Sequence, residues 1–438
     1  MIFFKEIHNT FQIASQKKRI INFRVFLVHN KNVSLGVTNK SIAGVYNPIN
    51  ISSGISGDCL IEWPDNLISS VSLSREDMNN FNKFLNDAKK MRYKDVDEAN
   101  FLSKQKYKEV KLYDEEVADI VDGKNDYLFK LVLKLNQWQD KIKTKQKEIN
   151  AYASKTESAI FTSQGLFESQ KSTSLGYYSI YDNRFALEDT LIKIPEEKTL
   201  NLKKDTIEKF YLYFEKVPKI KPKPGKLPIL LMPWISSEMF FQFIISNLAG
   251  SSVYNKISRF NLDDFEKHKK ILREDLNLSC DPTIDFDISS YKFTLEGVDS
   301  KKTDFIKNGR LNSQVLDLKY AKKQNQEPTA FFSDYKSAIL RSSKEFSFDK
   351  VLKSLKEGIL VFNILGLHTQ SSVTGDYSLP VPDALYIKKG KIVGKARAII
   401  IGNIFEDMNK NDFRLIRFKT EKFPGFLIET NTVFETVK

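Results

Sequence analysis

The segment EKVPKIKPKPGK, residues 215–226, constrains the fold of this chain more than any other stretch. Its prolines alternate with lysines, and a proline fixes its own φ and lacks the amide hydrogen that a helix or central strand uses. Such a segment favours an extended conformation of the polyproline type. We therefore predict a linker at residues 218–225, between an N-terminal domain, 1–217, and a C-terminal domain, 226–438.

The length agrees with two domains, because 438 residues exceed what a single hydrophobic core usually supports. Hydrophobic residues make up 41% and charged residues 28%, which is typical of a soluble globular protein. The 33 phenylalanines and 17 tyrosines are enough to fill sizeable cores.

The formal net charge of +13 permits nucleic acid, an anionic membrane or an acidic protein as a partner. Lysines are interleaved with acids, however, as in residues 89–100, and no recognised nucleic-acid-reading motif accompanies them. The longest apolar run, residues 227–235, is too short to span a bilayer and contains prolines. From the charge pattern and the apolar runs we therefore expect neither membrane association nor nucleic-acid binding.

Two cysteines, Cys59 and Cys280, lie far apart in the sequence and form neither a disulfide framework nor a CxxC metal motif. The amino-terminal residues lack the apolar stretch of a secretory signal. Both observations favour a reducing compartment, and we expect the protein to be cytoplasmic.

Hydrophobic periodicity predicts an α+β fold. In the N-terminal half we expect a meander of short strands over 20–75, a helix over 74–92, one long helix over 114–151, and strands over 157–185. In the C-terminal half we expect a strand at 227–233, an apolar helix at 234–250, and then mostly strands. The pieces KNGR and KKGK are typical of hairpin turns.

Metal and nucleophile motifs are sparse. The histidines are His8, His29, His268 and His368, and no two lie within one helical turn, so a zinc site would need ligands from distant segments. GxSxG, Walker A and GxGxxG motifs are absent. We expect Cys59 to be a small buried residue.

Two further segments carry residue types that are used in catalysis. Asp285 and Asp287 are two apart in a predicted strand, where they would share one face; a polar strand face is the more common explanation of such a pair. Residues 367–379, LHTQSSVTGDYSL, combine a histidine, hydroxyls, a glycine and an aspartate. From the residues alone, this stretch is either a structural turn or a loop that holds a substrate.

Residues 366–408 resemble the C-terminal signature of the TldD/PmbA family, a V-T-G-D-[FY]-S motif followed by I-x-x-G-[EK]-I-V and G-N-x-x-[DE]-M. The matching residues are Val373, Thr374, Gly375, Asp376, Tyr377, Ser378, Gly390, Gly402, Asn403 and Met408. A second stretch, residues 293–321, resembles the family's E-G-V … I-x-N-G-x-L run. There the matching residues are Glu296, Gly297, Asn308, Gly309 and Leu311.

The resemblance implies one of two kinds of member. The TldD kind carries a helical HExxxH and a later cysteine, which bind zinc for peptide hydrolysis; the TldE/PmbA kind lacks them and pairs with the first. The corresponding helix here, residues 236–250, has Glu238 but no histidine, and no cysteine follows the G-N-x-x-[DE]-M segment. The chain therefore resembles the TldE/PmbA kind. It departs from the family at LPVPDALY, residues 379–386, where members have a run rich in glycine or alanine.

By this resemblance, we expect a mixed helix–sheet domain followed by a mainly β, barrel-like domain. The expected function is that of a metal-free subunit of a peptidase complex, with zinc held by a TldD-like partner and with peptides as substrates. The alternatives are a peptide-binding homodimer or scaffold, a nucleic-acid-associated modulator, and a hydrolase using His368 and Asp376. We expect no catalytic or metal-binding residue in this chain, and a possible peptide-groove loop formed by His368, Thr374, Gly375, Asp376, Tyr377 and Ser378.

Overall fold

The computed structural model describes residues 2–38, 45–333 and 335–435. Its N-terminal half contains, in chain order, α1 (Ile2–Gln16), β1 (Asn22–Thr38), β2 (Val45–Glu62), β3 (Ile68–Ser74), α2 (Arg75–Asn79), α3 (Phe81–Lys90), α4 (Glu115–Val121), α5 (Tyr127–Ile142), β4 (Lys147–Thr162), β5 (Phe167–Tyr181), β6 (Phe185–Leu191) and α6 (Glu197–Lys216).

The six strands of this half form one antiparallel sheet in the order β3-β2-β1-β4-β5-β6. Helices α1 and α3 pack against one end of the sheet, and α4, α5 and α6 pack against the other end. The predicted meander over 20–75 is confirmed in kind but has fewer and longer strands, because a register shift between Ser34 and Gly36 lets β1 run past its glycine. Residues 39–44 of the predicted meander lie outside the described residues.

The single long helix predicted over 114–151 is wrong. Helix α4 is followed by Gly123, whose φ is 75°, and α5 ends at Lys143, whose φ is 56°. Beyond it, Ile149, Ala151 and Ala153 are buried at every second position, as in a strand. The helical stripe from Leu128 to Trp138 is real, but the residues after it follow the two-residue period of β4.

The C-terminal half contains, in chain order, β7 (Gly225–Leu231), α7 (Pro233–Phe240), a π-helical turn (Phe241–Ile245), α8 (Ser246–Leu248), α9 (Gly250–Tyr254), α10 (Leu262–Glu266), β8 (Leu276–Cys280), β9 (Thr303–Lys307), β10 (Arg310–Leu311), α11 (Leu318–Lys323), β11 (Ile339–Ser342), β12 (Glu345–Ser347), α12 (Phe348–Ser354), β13 (Glu357–Val361), β14 (Asp376–Lys388), β15 (Lys391–Asn403), α13 (Ile404–Asn409), β16 (Arg414–Arg417) and β17 (Gly425–Phe434). Short 3-10 turns lie at Tyr335–Ser337 and Leu367–Thr369.

Seven of these strands form a mixed sheet in the order β12-β16-β17-β15-β14-β13-β7, and β17 also pairs with β7. That additional pairing closes β17, β15, β14, β13 and β7 into a barrel. A smaller sheet, β10-β9-β8-β11, lies beside it. The expected α+β fold with a barrel-like C-terminal unit is confirmed.

The strand predicted around residues 284–298 is wrong. Phe286 has a φ of 58°, a left-handed conformation that a strand does not accommodate, and residues 281–298 form successive turns. Asp285 and Asp287 therefore do not share a strand face. Asp285 accepts a hydrogen bond from the Lys111 amide at 3.0 Å, and Asp287 pairs with Lys422.

The proline–lysine segment is extended, as predicted, and Lys219 in it forms a parallel bridge with Lys395 of β15. Side chains from both sides of it share one hydrophobic core, in which Phe185 of β6 meets Phe362 with ring centroids 4.9 Å apart. The boundaries of the two domains stay a prediction. In the described residues, no helix has the length and apolar character needed to cross a bilayer.

Candidate functional site

A cavity of about 580 Å³ opens where the two halves of the chain meet. Its walls are strand β6, helix α6, the first turns of α7, and the segments 286–288 and 418–423. Cavities of this size hold small ligands or a short stretch of peptide. Cys59 is buried, as predicted, and Cys280 is buried as well; neither lines the cavity.

Strand β6 presents a free edge along the cavity. It pairs with β5 on one side, and no strand of the described chain covers its other side. The Thr190 amide donates to the side chain of Asp189 at 2.9 Å rather than to β5. Since main-chain groups alternate between the two sides of an antiparallel strand, those of Ala186 and Glu188 also point to the free edge. Such groups can pair with an extended peptide.

A buried ionic network forms part of the cavity wall. Lys203 Nζ of α6 lies 2.7 Å from Asp189 Oδ2 and 3.7 Å from Glu421 Oε1, and Lys336 Nζ lies 3.1 Å from Asp189 Oδ1. Burial by itself would lower the pKa of Lys203, but the charges of Glu421 and Asp189 outweigh it and raise that pKa. The two lysines likewise overcome burial and lower the pKa of Asp189. These charges neutralise one another and join α6 to β6 and the 418–423 segment.

Two further carboxylates line the cavity without such partners. Glu188 of β6 and Glu238 of α7 form no hydrogen bond or ion pair with the described residues. The pKa of Glu238 is raised, first because the surrounding protein displaces water and second because the negative charge of Glu188 is near.

The residues of α7 and of the π-helical turn that follows it do not fit a zinc site. When the family's HExxxH spacing is aligned on Glu238, the histidine positions are occupied by Ser237 and Gln242. Ser237 donates to the Trp234 carbonyl at 2.7 Å, and Gln242 donates to the Gln370 carbonyl at 3.2 Å. Across the described parts of the chain, no three His, Cys, Asp or Glu side chains converge as metal ligands do.

The V-T-G-D motif forms a turn outside the cavity, and hydrogen bonds from neighbouring side chains hold this turn in place. Arg259 donates to the carbonyls of Val373 and Thr374, each at 3.0 Å, and Asn247 donates to the Ser372 carbonyl at 2.8 Å. Gly375 has a φ of 76°, and a Cβ there would lie 2.4 Å from Phe405. The motif therefore closes a turn for which glycine is required.

The remaining residues of the predicted loop differ in their burial and in their hydrogen-bond partners. Tyr377 is buried and donates its hydroxyl to Asp407 at 2.5 Å; burial and the Asp407 charge raise the tyrosine pKa. The Ser378 amide donates to the Gln370 side chain at 3.1 Å. His368 is exposed and forms no hydrogen bond with the described residues. None of the loop residues lines the cavity, and a peptide groove there stays a prediction.

The second family segment joins the two halves of the chain. Glu296 is largely buried, which raises its pKa, and its carboxylate lies 3.6 Å from Arg24 of β1 and accepts from the Leu318 amide at 2.8 Å. The Gly297 carbonyl accepts from the hydroxyl of Tyr107 at 2.6 Å. These contacts are structural.

The other family glycines and asparagines occupy turns. Asn308 and Gly309, with φ of 49° and 70°, connect β9 to β10, and Gly390, with φ of 70°, connects β14 to β15, so both predicted hairpin turns are confirmed. Asn403 is the N-cap of α13. At Gly402 a Cβ would lie 2.5 Å from the Thr430 hydroxyl.

The cavity itself was not predicted from the sequence, although two of its lining residues, Glu238 and Asp287, were named there for other reasons. Lys203 resembles any other lysine on a helix surface, and Glu188 sits in a strand whose edge position depends on the order of the whole sheet. The comparison of SEMFFQ with HExxxH did single out Glu238, but only as the remnant of a zinc motif and not as a residue that lines a cavity.

The comparisons with known proteins agree with this architecture. Residues 224–426 match the family model described as the PmbA/TldA metallopeptidase C-terminal domain. The metalloprotease PmbA of Escherichia coli O157:H7 is 28% identical over 186 residues, which cover 42% of this chain and 40% of that protein. A metalloprotease PmbA homolog of Buchnera aphidicola from Acyrthosiphon pisum is 27% identical over 257 residues, 57% of this chain and 55% of the relative. The chain thus spans about half the length of the curated relatives it matches, or less.

The likeness in structure extends over the whole chain. The crystal structure of TldE from Thermococcus kodakarensis superposes with a TM-score of 0.78 at 16% identity, covering 98% of this chain and 100% of that one. At this identity the likeness establishes the fold.

Proposed function

Because its C-terminal domain places the chain in the TldD/PmbA family, we propose that it is the metal-free, TldE-like subunit of a TldD/TldE-type peptidase complex. In that role it holds unfolded or short peptides while a zinc-bearing partner cleaves them. The observation that carries the proposal is a cavity lined by a free strand edge, in a chain that has Ser237 of α7 and Gln242 of the π-helical turn at the two histidine positions.

The free edge of β6 supports a sequence-tolerant way of holding peptide. An extended peptide that pairs with Ala186 and Glu188 would use main-chain hydrogen bonds, which every peptide offers. The cavity behind the edge would take alternate side chains.

The first test mixes the chain with an HExxxH-bearing paralogue and measures complex formation by size-exclusion chromatography together with cleavage of an unfolded peptide. We expect a complex that cleaves peptide faster than the paralogue does. Equal cleavage with and without this chain, and no complex, would contradict the proposal.

A second test addresses the strand edge. Ala186→Pro removes an amide that points into the cavity and spares the bonds to β5, so it should weaken peptide binding at least tenfold. Ser70→Pro is the matched control. Ser70 is an exposed residue of β3 at the opposite edge of the same sheet, and its amide points outward by the same alternation as that of Ile68, which bonds to Tyr93. Equal loss of peptide affinity in both variants would contradict a role for the β6 edge.

A peptide-binding homodimer is the second candidate, because the cavity is formed by this chain alone. It predicts a dimer and peptide binding without the paralogue. The same chromatography run of the chain alone and mixed distinguishes the two functions.

A further inference from the structure

The charged side chains of the cavity do not favour a ligand of either sign. The lining contains as many basic as acidic side chains. Asp189 lies between Lys203 and Lys336, and Lys422 pairs with Asp287. Charges that balance in this way leave little net field for attracting a cation or an anion. Any selectivity of the cavity therefore falls to the apolar side chains of its lining.

Three large aromatic side chains of the lining are only partly buried. They are Trp234 of α7, Phe286 and Phe418, and they come from three separate segments. The Trp234 indole donates to the Phe362 carbonyl at 2.8 Å, and the rings of Phe418 and Phe348 have centroids 4.9 Å apart. These contacts fix two of the three rings, while part of their apolar surface faces the cavity. Concave apolar surface of this kind is typical of a binding site.

The backbone of Phe286 points to a ligand independently of the cavity. Its φ of 58° lies in the left-handed region, which is unfavourable for a bulky residue. The Phe286 amide donates to the Lys111 carbonyl at 2.7 Å, and the Asp285 side chain accepts from the Lys111 amide at 3.0 Å. These hydrogen bonds hold the turn but need no phenyl ring, and glycine would adopt the turn with less strain. Residues that their surroundings hold in strained conformations cluster at ligand-binding sites.

We propose that Trp234, Phe286 and Phe418 form an aromatic subsite that takes a large apolar side chain of the peptide, such as phenylalanine or leucine. The inference rests on the proposed function, since it assumes that a peptide pairs with β6 along the cavity. Alternate side chains of an extended peptide point to the same face, so every second residue can enter the subsite. Folded proteins bury such side chains, whereas unfolded chains expose them. The subsite therefore selects unfolded polypeptide.

The test measures binding of three peptides to the full chain by isothermal titration calorimetry. The peptides are capped at both ends, share one polar and uncharged sequence, and differ only in a central phenylalanine, leucine or serine. We expect the phenylalanine and leucine peptides to bind about tenfold more tightly than the serine peptide, because an apolar side chain is buried. Their binding should also show the more negative heat-capacity change, which marks apolar burial. Both readouts use the unaltered chain.

Phe286→Asn tests the subsite itself. Asparagine adopts positive φ more readily than phenylalanine does, so the variant keeps the turn and removes the ring. It should reduce the preference for the phenylalanine peptide over the serine peptide by about threefold or more, since ring contacts are lost. Leu295→Asn is the matched control and should keep the full preference. Leu295 is 56% exposed, lies in another turn of the same segment, and does not line the cavity.

The outcomes separate the subsite from the function on which it rests. Equal binding of all three peptides would mean that the aromatic subsite is wrong while peptide holding stands. A full preference in the Phe286→Asn variant would also contradict the subsite. If the chain binds none of the peptides, the proposed function fails together with the subsite.

Discussion

The side-chain amide of Asn403 donates to the Thr374 carbonyl at 2.9 Å and to the Asp376 carboxylate at 2.8 Å. Its oxygen accepts from the amides of Phe405 and Glu406, at 3.1 and 3.3 Å, and so caps α13. One asparagine thus joins two parts of the same family signature that lie 27 residues apart in sequence. These hydrogen bonds give both the V-T-G-D and the G-N residues a structural role, in which no catalytic function is needed.

Asn403→Ala should lower the free energy of unfolding by about 2 kcal/mol, because a helix cap and two further hydrogen bonds are lost. Urea unfolding followed by circular dichroism measures the change. Asn411→Ala is the control, since Asn411 is exposed and its side chain forms no hydrogen bond with the described residues. Similar stability of both variants would contradict the role assigned to Asn403.

Gly375→Ala should destabilise the protein more than Gly123→Ala does. Both glycines have positive φ, 76° and 75°, so both substitutions carry a backbone strain of about 1 kcal/mol. A Cβ at Gly123 meets open space, whereas one at Gly375 would lie 2.4 Å from Phe405. The difference between the two variants in the free energy of unfolding, measured with urea, gives the cost of the contact with Phe405. Equal free energies would mean that the turn relaxes to avoid this contact.

The Lys203 network should contribute to stability as a unit. Lys203→Ala leaves Glu421 without its lysine and Asp189 with Lys336 alone, and should cost about 3 kcal/mol, as for other broken buried pairs. Lys267→Ala, which removes an exposed lysine paired with Asp263, should leave the thermal midpoint unchanged. A thermal unfolding midpoint of Lys203→Ala equal to that of wild type would mean that the Lys203 charge does not contribute to stability.

Asp275 should give the stability a defined pH dependence. Hydrogen bonds from Arg273, aided by one from Ser342, lower the pKa of Asp275 to about 2. A carboxylate with a lowered pKa in the folded state stabilises above its unfolded pKa, near 4, and loses that contribution as the pH falls toward 2. Asp275→Asn should therefore cost about 2 kcal/mol at pH 7, and the difference from wild type should shrink below about pH 4.

Urea titrations at pH 7, 5, 4 and 3 measure this dependence. Asp412→Asn, at an exposed residue that forms no ion pair in the described chain, is the control. A difference between wild type and Asp275→Asn that is constant with pH would contradict the assigned role of the carboxylate charge.

Elements that depend on local residue preferences could be predicted from the sequence, whereas elements that depend on contacts between distant segments could not. The turns at Asn308–Gly309 and Lys389–Gly390 follow from the preference of asparagine and glycine for positive φ, and the structure has both. The helix predicted through residue 151 failed because the lysine-rich run after α5 does not reveal that Ile149 and Ala151 face a sheet. The strand predicted through Phe286 failed because no sequence signal marks a phenylalanine at positive φ.

The candidate site could not be predicted for the same reason. The residue types of 367–379 drew attention to a turn that lies outside the cavity. The cavity depends on β6 being an edge strand and on Lys203, Asp189 and Glu421 meeting across more than 200 residues of sequence. Neither relationship is encoded in a local pattern.

The central claim is that this chain holds peptide but does not itself carry out zinc-dependent hydrolysis. Metal analysis combined with a peptidase assay, on the chain alone and mixed with an HExxxH-bearing paralogue, tests it most directly. The account predicts no stoichiometric zinc and no cleavage for the chain alone, and zinc-dependent cleavage for the mixture that exceeds that of the paralogue. Stoichiometric zinc and peptide cleavage by the chain alone would contradict it.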